Sequence, residues 1–168
     1  MEPDYGDPEG HIRLLENSEF FERYVSIINK HNVKVTMFTV TSLFEKFGDD
    51  LKKLAASIPL EYSVHSHSHD PYNACSLHEV TASQKAYKDF TGKMPLGYRA
   101  PIGRIDKIGL GHLMDNGFAY DASVYTSVRP GEFGYSNLHM PNIPFRVVRG
   151  EESLVEFPFT SLTAVRVV

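Results

Sequence analysis

The chain alternates between two kinds of apolar pattern. Segment 33–40 (VKVTMFTV) is a run of β-branched and apolar residues, which predicts a buried strand. Before it, Phe20, Phe21, Tyr24, Val25, Ile27 and Ile28 recur at roughly helical spacing. They predict a helix over 18–31, with Ser18 as N-cap and Asn32 closing it. After it, Leu43, Phe44, Phe47, Leu51 and Leu54 fall on one side of a helix over 42–57. Pro59 interrupts, and 61–64 reads as a short second strand. A third helix over 76–90 opens on a capping-box pair, Ser76 and Glu79, and stops at Gly92 and Pro95. Segment 97–100 is a short strand ended by Pro101. Segment 104–116 is a weaker helix, since it carries Gly109 and Gly111, with Gly117 as its C′ residue. Segment 118–123 is a further strand, and 126–144, rich in Gly, Pro, Ser and Asn, is a long loop. The last clear strand is 154–159 (LVEFPF).

Strands alternating with helices imply βαβ units and a mostly parallel sheet. In such folds chemistry collects where strands end and loops begin. At 168 residues the chain is about one domain's worth, so 1–168 is read as a single domain. A net charge of −4 leaves no basic excess for phosphates, which argues against a nucleic-acid partner. No apolar run is long enough to span a bilayer. The first residues do not resemble a signal peptide, which slightly favours the cytoplasm and leaves the compartment open. The one cysteine, Cys75, excludes an intrachain disulfide and a multi-cysteine zinc site, and packing is expected of it rather than nucleophilic catalysis.

Eight histidines change the picture, because three fall in the run His65-Ser66-His67-Ser68-His69 directly after a strand. Imidazole is a common ligand for zinc and other transition metals. His65 and His69 converge on one ion if the chain turns at the strand exit; His65 and His67 converge if the strand continues. A hydrolytic metal site needs a third protein ligand and an open position for water. Glu2, Asp4 and Asp7 lie close together near the expected end of a first strand.

Four segments in order resemble the polysaccharide deacetylase family, the NodB-homology domain of carbohydrate esterase family 4. They are the acidic N-terminal motif followed by KHNVKVTMFTV; His65-Ser66 with His69; Arg99, Pro101 and Gly103 in YRAPIGR; and Asp121 in GFAYDASVY, before LVEFPF. The resemblance implies an α/β fold, a distorted and incomplete (β/α) barrel of about five to six mostly parallel strands. A full barrel takes about 200–250 residues. It implies one divalent metal, zinc first and cobalt, nickel or iron as alternatives, held by His65, His69 and an acidic residue. With Asp4 as ligand, Glu2 is the base; the alternative has Asp4 as base and Asp7 as ligand. Arg99 is expected to orient the base, and Asp121 to hold Arg99. Pro101, Tyr98 and Tyr125 are placed at the substrate, with Tyr120 and Phe133 as further members of a stacking wall.

The chemistry has a clear rationale. Amide hydrolysis needs a nucleophile at neutral pH and a stabilised oxyanion, and a divalent metal serves both. A carboxylate beside the water removes its proton. The expected activity is removal of an acyl group, acetyl first, from an N-acylated amino sugar of a glycan or glycolipid. A small-amide hydrolase and an inactive carbohydrate-binding domain are the alternatives. The Leu-x-His motif of the family, which supplies the general acid, would follow LVEFPF; His139 in Asn137-Leu138-His139 precedes that strand. The chain is therefore expected to be an incomplete member, with weak activity and an open barrel edge that favours a homo-oligomer.

Overall fold

The computed structural model describes residues 17–159. Helix α1 (Ser18–Lys30) is capped by Asn17 rather than the expected Ser18: the Asn17 side chain accepts from the Phe20 amide at 3.1 Å. That satisfies one of the N-terminal donors that lack a partner inside the helix. Strand β1 (Val35–Thr39), helix α2 (Leu43–Ser57) and strand β2 (Leu60–Val64) form the first βαβ unit, paired in parallel from Val35↔Leu60 to Thr39↔Val64. Helix α3 (Leu77–Thr91) runs from its N-cap Ser76 to Gly92, whose φ of 74° suits a residue without Cβ. Strand β3 (Gly97–Tyr98), a 3-10 turn at Pro101–Gly103, helix α4 (Lys107–Asp115) and strand β4 (Tyr120–Asp121) follow.

The expected long loop contains a small antiparallel ribbon, β5 (Val128–Arg129) with β6 (Tyr135–Ser136). It is followed by a strand with no counterpart in the sequence reading. Strand β7 (Phe145–Arg149) turns at Gly150 into β8 (Glu152–Glu156), and the two pair antiparallel over five residues each. The main sheet has six strands in the order β1-β2-β3-β4-β8-β7. Its first four pairings are parallel and the last is antiparallel. The expected α/β class and strand number are thus present. Among the described residues the sheet is open, with β1 and β7 at its edges.

Packing explains the glycines that weaken helix α4 as a sequence signal. A Cβ on Gly109 would lie 2.7 Å from Cys75 Cβ, so the helix approaches the turn before α3 closely. A Cβ on Gly97 would lie 2.0 Å from the Tyr120 ring, which covers that position across the β3–β4 pair. The core joins Leu51, Leu54, Val64, Val80, Tyr98, Leu113 and Leu154, all buried, between helices and sheet. Each such aliphatic side chain contributes about 1.5–3 kcal/mol of burial free energy.

The parallel register then sets the chemistry. Thr39, Val64, Tyr98, Asp121 and Glu156 lie side by side across β1, β2, β3, β4 and β8. The residues one step beyond the second and third of these are His65 and Arg99.

Candidate active site

The β2 exit presents the histidines. His65 Nδ1 bonds the carbonyl oxygen of Arg99 at 2.7 Å. A carbonyl only accepts, so Nδ1 carries the proton and the lone pair sits on Nε2. Burial, reinforced by the charges of His69 and Arg99, pushes the His65 imidazole down to about 4, so the ring is neutral at ordinary pH. The His69 ring lies with its centroid 4.9 Å from that of His65, at 62°. His67 turns the other way, its Nδ1 3.0 Å from Thr41 Oγ1. Of the two convergences the run allowed, the chain adopts the turn that brings His65 to His69.

That turn is built from left-handed backbone at two residues that are not glycine, Ser66 (φ 61°) and His69 (φ 63°). Such geometry costs about 1–2 kcal/mol per residue and persists only where neighbours enforce it. Here they do. The buried Ser66 accepts from the His69 amide through Oγ at 2.9 Å and from the Thr41 amide through its carbonyl at 3.0 Å. Ser42 N donates to His67 O. The buried Glu79, in the first turn of α3, accepts from both the His67 and Ser68 amides through Oε2, at 3.1 and 3.0 Å. Sequence reading gave Glu79 a helix-cap role. Ser76 does accept from the Glu79 amide, but the Glu79 carboxylate is aimed at the histidine loop. The only local hint was a carboxylate at the third helical position, which capping alone accounts for.

At the neighbouring exit, Arg99 Nε donates to Ala122 O at 2.9 Å, and the guanidinium packs against the Phe38 and Phe159 rings, 4.1 and 4.0 Å from their centroids. The expected Arg99–Asp121 ion pair is not formed; among the described residues Arg99 has no ion pair. Asp121 is fully buried and is turned to its own strand end, accepting from Ser123 Oγ at 2.7 Å and Ser123 N at 3.3 Å. Burial, then the Glu156 carboxyl beside it, raises Asp121 well above the usual carboxylate range. Ser123 Oγ also accepts from the Ala100 amide at 2.7 Å, so the β3 and β4 exits are tied together.

The proposed substrate wall fares differently. Tyr98 has no exposed surface; its hydroxyl donates to Ala74 O and its ring packs on Phe118, which makes it a core residue. Pro101 is likewise fully buried, at the start of the 3-10 turn. The Tyr125 ring stacks with Phe159 (4.4 Å) and Tyr135 (5.8 Å), which occupies it with protein neighbours. Tyr120 is half-buried, with its hydroxyl 2.7 Å from Ser63 Oγ. Phe133 meets the exposed Tyr72. Burial pushes the Cys75 thiol up to about 12, as suits a packing residue. Glu2, Asp4 and Asp7 lie outside the described residues. Among the described residues no group of three His, Cys, Asp or Glu could hold a metal ion. The His65–His69 pair, with one ring neutral and oriented through Nδ1, fits two ligands of a three-ligand site.

The open, mostly parallel sheet, with a histidine pair at one strand exit and an arginine at the next, defines the class: an α/β protein whose polar side chains gather where the strands end. The sequence profile of the family described as polysaccharide deacetylase matches residues 4–120, and the chain belongs to that family. A curated relative, the peptidoglycan deacetylase of Helicobacter pylori, is 28% identical over 106 residues, which is 61% of this chain and 36% of the relative. A Mycobacterium smegmatis crystal structure assigned to the polysaccharide deacetylases superposes with a TM-score of 0.65 at 23% identity, over 83% of this chain and 45% of that one. The crystal structure of an allantoinase superposes with a TM-score of 0.63 at 18% identity, over 84% of this chain and 43% of that one. At these identities the two structures show a shared fold. The chain spans less than half the length of each of these proteins.

Proposed function

We propose that this chain carries the core of a metal-dependent hydrolase that removes an acetyl group from an N-acetylated amino sugar of a glycan. The observation that supports this most is the His65–His69 pair, held on left-handed backbone with the His65 lone pair at Nε2. His65 and His69 would hold a divalent ion, zinc first among zinc, cobalt, nickel and iron, with Asp4 as the third ligand. When bound, such an ion supplies an activated water and polarises the amide carbonyl. Glu2 is the base in this reading, with Asp4 as base and Asp7 as ligand in the alternative assignment. The Arg99 side chain, anchored by Ala122 O, is the group to orient that base by a charge-assisted bond.

Acetate release from N-acetylated oligosaccharides, with and without a chelator, tests the reading. Turnover that the chelator abolishes supports it. Glycan binding without acetate release, in the presence of added metal, sinks the hydrolase and leaves a carbohydrate-binding domain. Turnover of a small non-peptide amide in place of the glycan moves the substrate class. His65→Ala should lose stoichiometric metal binding while keeping its circular dichroism spectrum, and tight binding by that variant defeats the ligand assignment.

A further inference from the structure

The β4–β8 register places Asp121 directly beside Glu156, and neither residue has any exposed surface. Neighbouring positions on paired parallel strands send their side chains to the same face, so the two carboxyls sit side by side. Three donors close on this pair from one short turn: Ser123 Oγ and Ser123 N to Asp121, and Val124 N to Glu156 Oε1 at 2.9 Å. The fourth oxygen, Glu156 Oε2, is buried and has no donor from any group of the described residues. Arg99, the cation nearest in the argument, spends its Nε on Ala122 O and forms no ion pair with either carboxyl. Two ionised carboxylates side by side in a fully buried site repel strongly and are not held together by three hydrogen bonds. One shared proton resolves both facts: it removes one negative charge, and it supplies the missing partner of Oε2.

We propose that Glu156 is a positioning residue of the hydrolytic site, joined to Asp121 as one acid–carboxylate unit that fixes the 121–124 turn from which Arg99 is held. The same turn presents Ala122 O to Arg99 Nε and Ser123 Oγ to the Ala100 amide. Glu156 therefore acts on Arg99 through the backbone between Asp121 and Val124, without touching it. The unit keeps a single negative charge behind a guanidinium that is otherwise packed on two aromatic rings. What Arg99 does in catalysis rests on the hydrolase reading; the carboxyl unit and its hold on Arg99 do not.

The test uses the full chain and two spectroscopic readouts that need no turnover. Infrared difference spectra of wild type against Glu156→Gln at pH 7 should show the C=O stretch of a protonated carboxyl in wild type alone. Gln at 156 can accept from Val124 N and donate to an ionised Asp121, so no shared proton is required. Nitrogen-detected exchange of the Arg99 Nε–H should be slow in wild type. It should be at least tenfold faster in Glu156→Ala, where the Val124 donor loses its acceptor. Absence of the protonated-carboxyl band in wild type overturns the shared proton, and unchanged Arg99 exchange in Glu156→Ala overturns the positioning role. Where Glu156→Ala fails to fold, Ser123→Ala provides the exchange test from the other side of the same turn, with the same two outcomes. A chain that shows both signatures but releases no acetate supports this inference and counts against the hydrolase reading alone.

Discussion

The β2 and β4 exits lie two strands apart in one sheet, and they hold their polar groups by opposite means. At β2 the backbone is strained and the polar groups are well partnered: between left-handed Ser66 and His69, the His67 and Ser68 amides both donate to the Glu79 carboxylate. At β4 no residue of 121–124 has left-handed backbone, and the electrostatics carry the burden, with two buried carboxyls and one oxygen without a donor among the described residues. The difference follows from what each exit must present. A histidine pair has to leave the sheet and turn two rings toward each other, which bends the chain. An anchor for Arg99 has only to stay where the sheet puts it, and a fixed, desolvated group does that.

Removing the β2 support should have the largest effect. Glu79→Ala leaves the His67 and Ser68 amides without their acceptor beside a buried loop. With charged hydrogen bonds worth about 1.5–3 kcal/mol each, a loss of about 3–5 kcal/mol is expected in urea denaturation. Glu79→Gln, which keeps an acceptor oxygen, should lose much less. Equal losses for the two variants would mean that charge rather than acceptor geometry holds the loop.

Acid titration of the metal-free chain separates the exits next. His65 is depressed from its ordinary 6.5 to about 4, so its stabilising contribution is complete above about 6.5 and is lost as pH falls toward 4. The span corresponds to about 3 kcal/mol. His65→Gln should lack that component in a plot of stability against pH. The raised Asp121 carboxyl has the opposite sign: its contribution is complete below the ordinary carboxylate range and is lost as pH rises through its elevated value. Wild type should therefore weaken as pH rises above the ordinary carboxylate range, and Asp121→Asn should lack that component. Parallel curves for Asp121→Asn and wild type would erase the contrast between the exits.

Ser123→Ala removes both a donor to Asp121 and the acceptor of the Ala100 amide, and should cost about 1–3 kcal/mol in thermal denaturation. Arg99→Lys is expected to be smallest in stability, about 1 kcal/mol, because the charge survives while the Nε bond and the planar contact with two rings are lost. Its effect on acetate release should be far larger than its effect on stability. The reverse would make Arg99 a packing residue.

Much of this was legible from the chain alone, and the limits have physical causes. The apolar run VKVTMFTV and the periodic helices on either side carry their own local signal, so β1, α1 and α2 came out within about two residues. Strand β7 did not. It lies at the sheet edge with only alternate residues half-buried, and Arg146 and Arg149 break its apolar pattern. The histidine run announced itself by composition. Glu79 and Glu156 did not, because each gets its meaning from a strand or loop remote in sequence: Glu79 from His67 and Ser68, Glu156 from Asp121. The same distance defeated the expected Arg99–Asp121 pair. Register placed the two residues on neighbouring strands, but Ser123, two residues on, had already taken the carboxyl. Tyr98 was misplaced for a simpler reason: strand-end aromatics face either layer, and here the interior won.

The place of β8 in the sheet also sets an order of assembly. Strands β1 to β4 follow one another in space as they do in sequence, so each can add to its predecessor as the chain lengthens. The β7–β8 hairpin closes locally around Gly150, an event on the order of microseconds, and then inserts β8 against β4. Until that docking, Asp121 has no Glu156, and the turn that holds Arg99 lacks one wall. The histidine loop is clasped by Glu79 of α3, and His65 takes its Nδ1 partner from Arg99 O, so this half needs nothing after residue 99. On the ribosome the two halves of the site would therefore mature in sequence. The histidine pair could form before residue 121 is made, whereas the arginine anchor has to wait for residue 156.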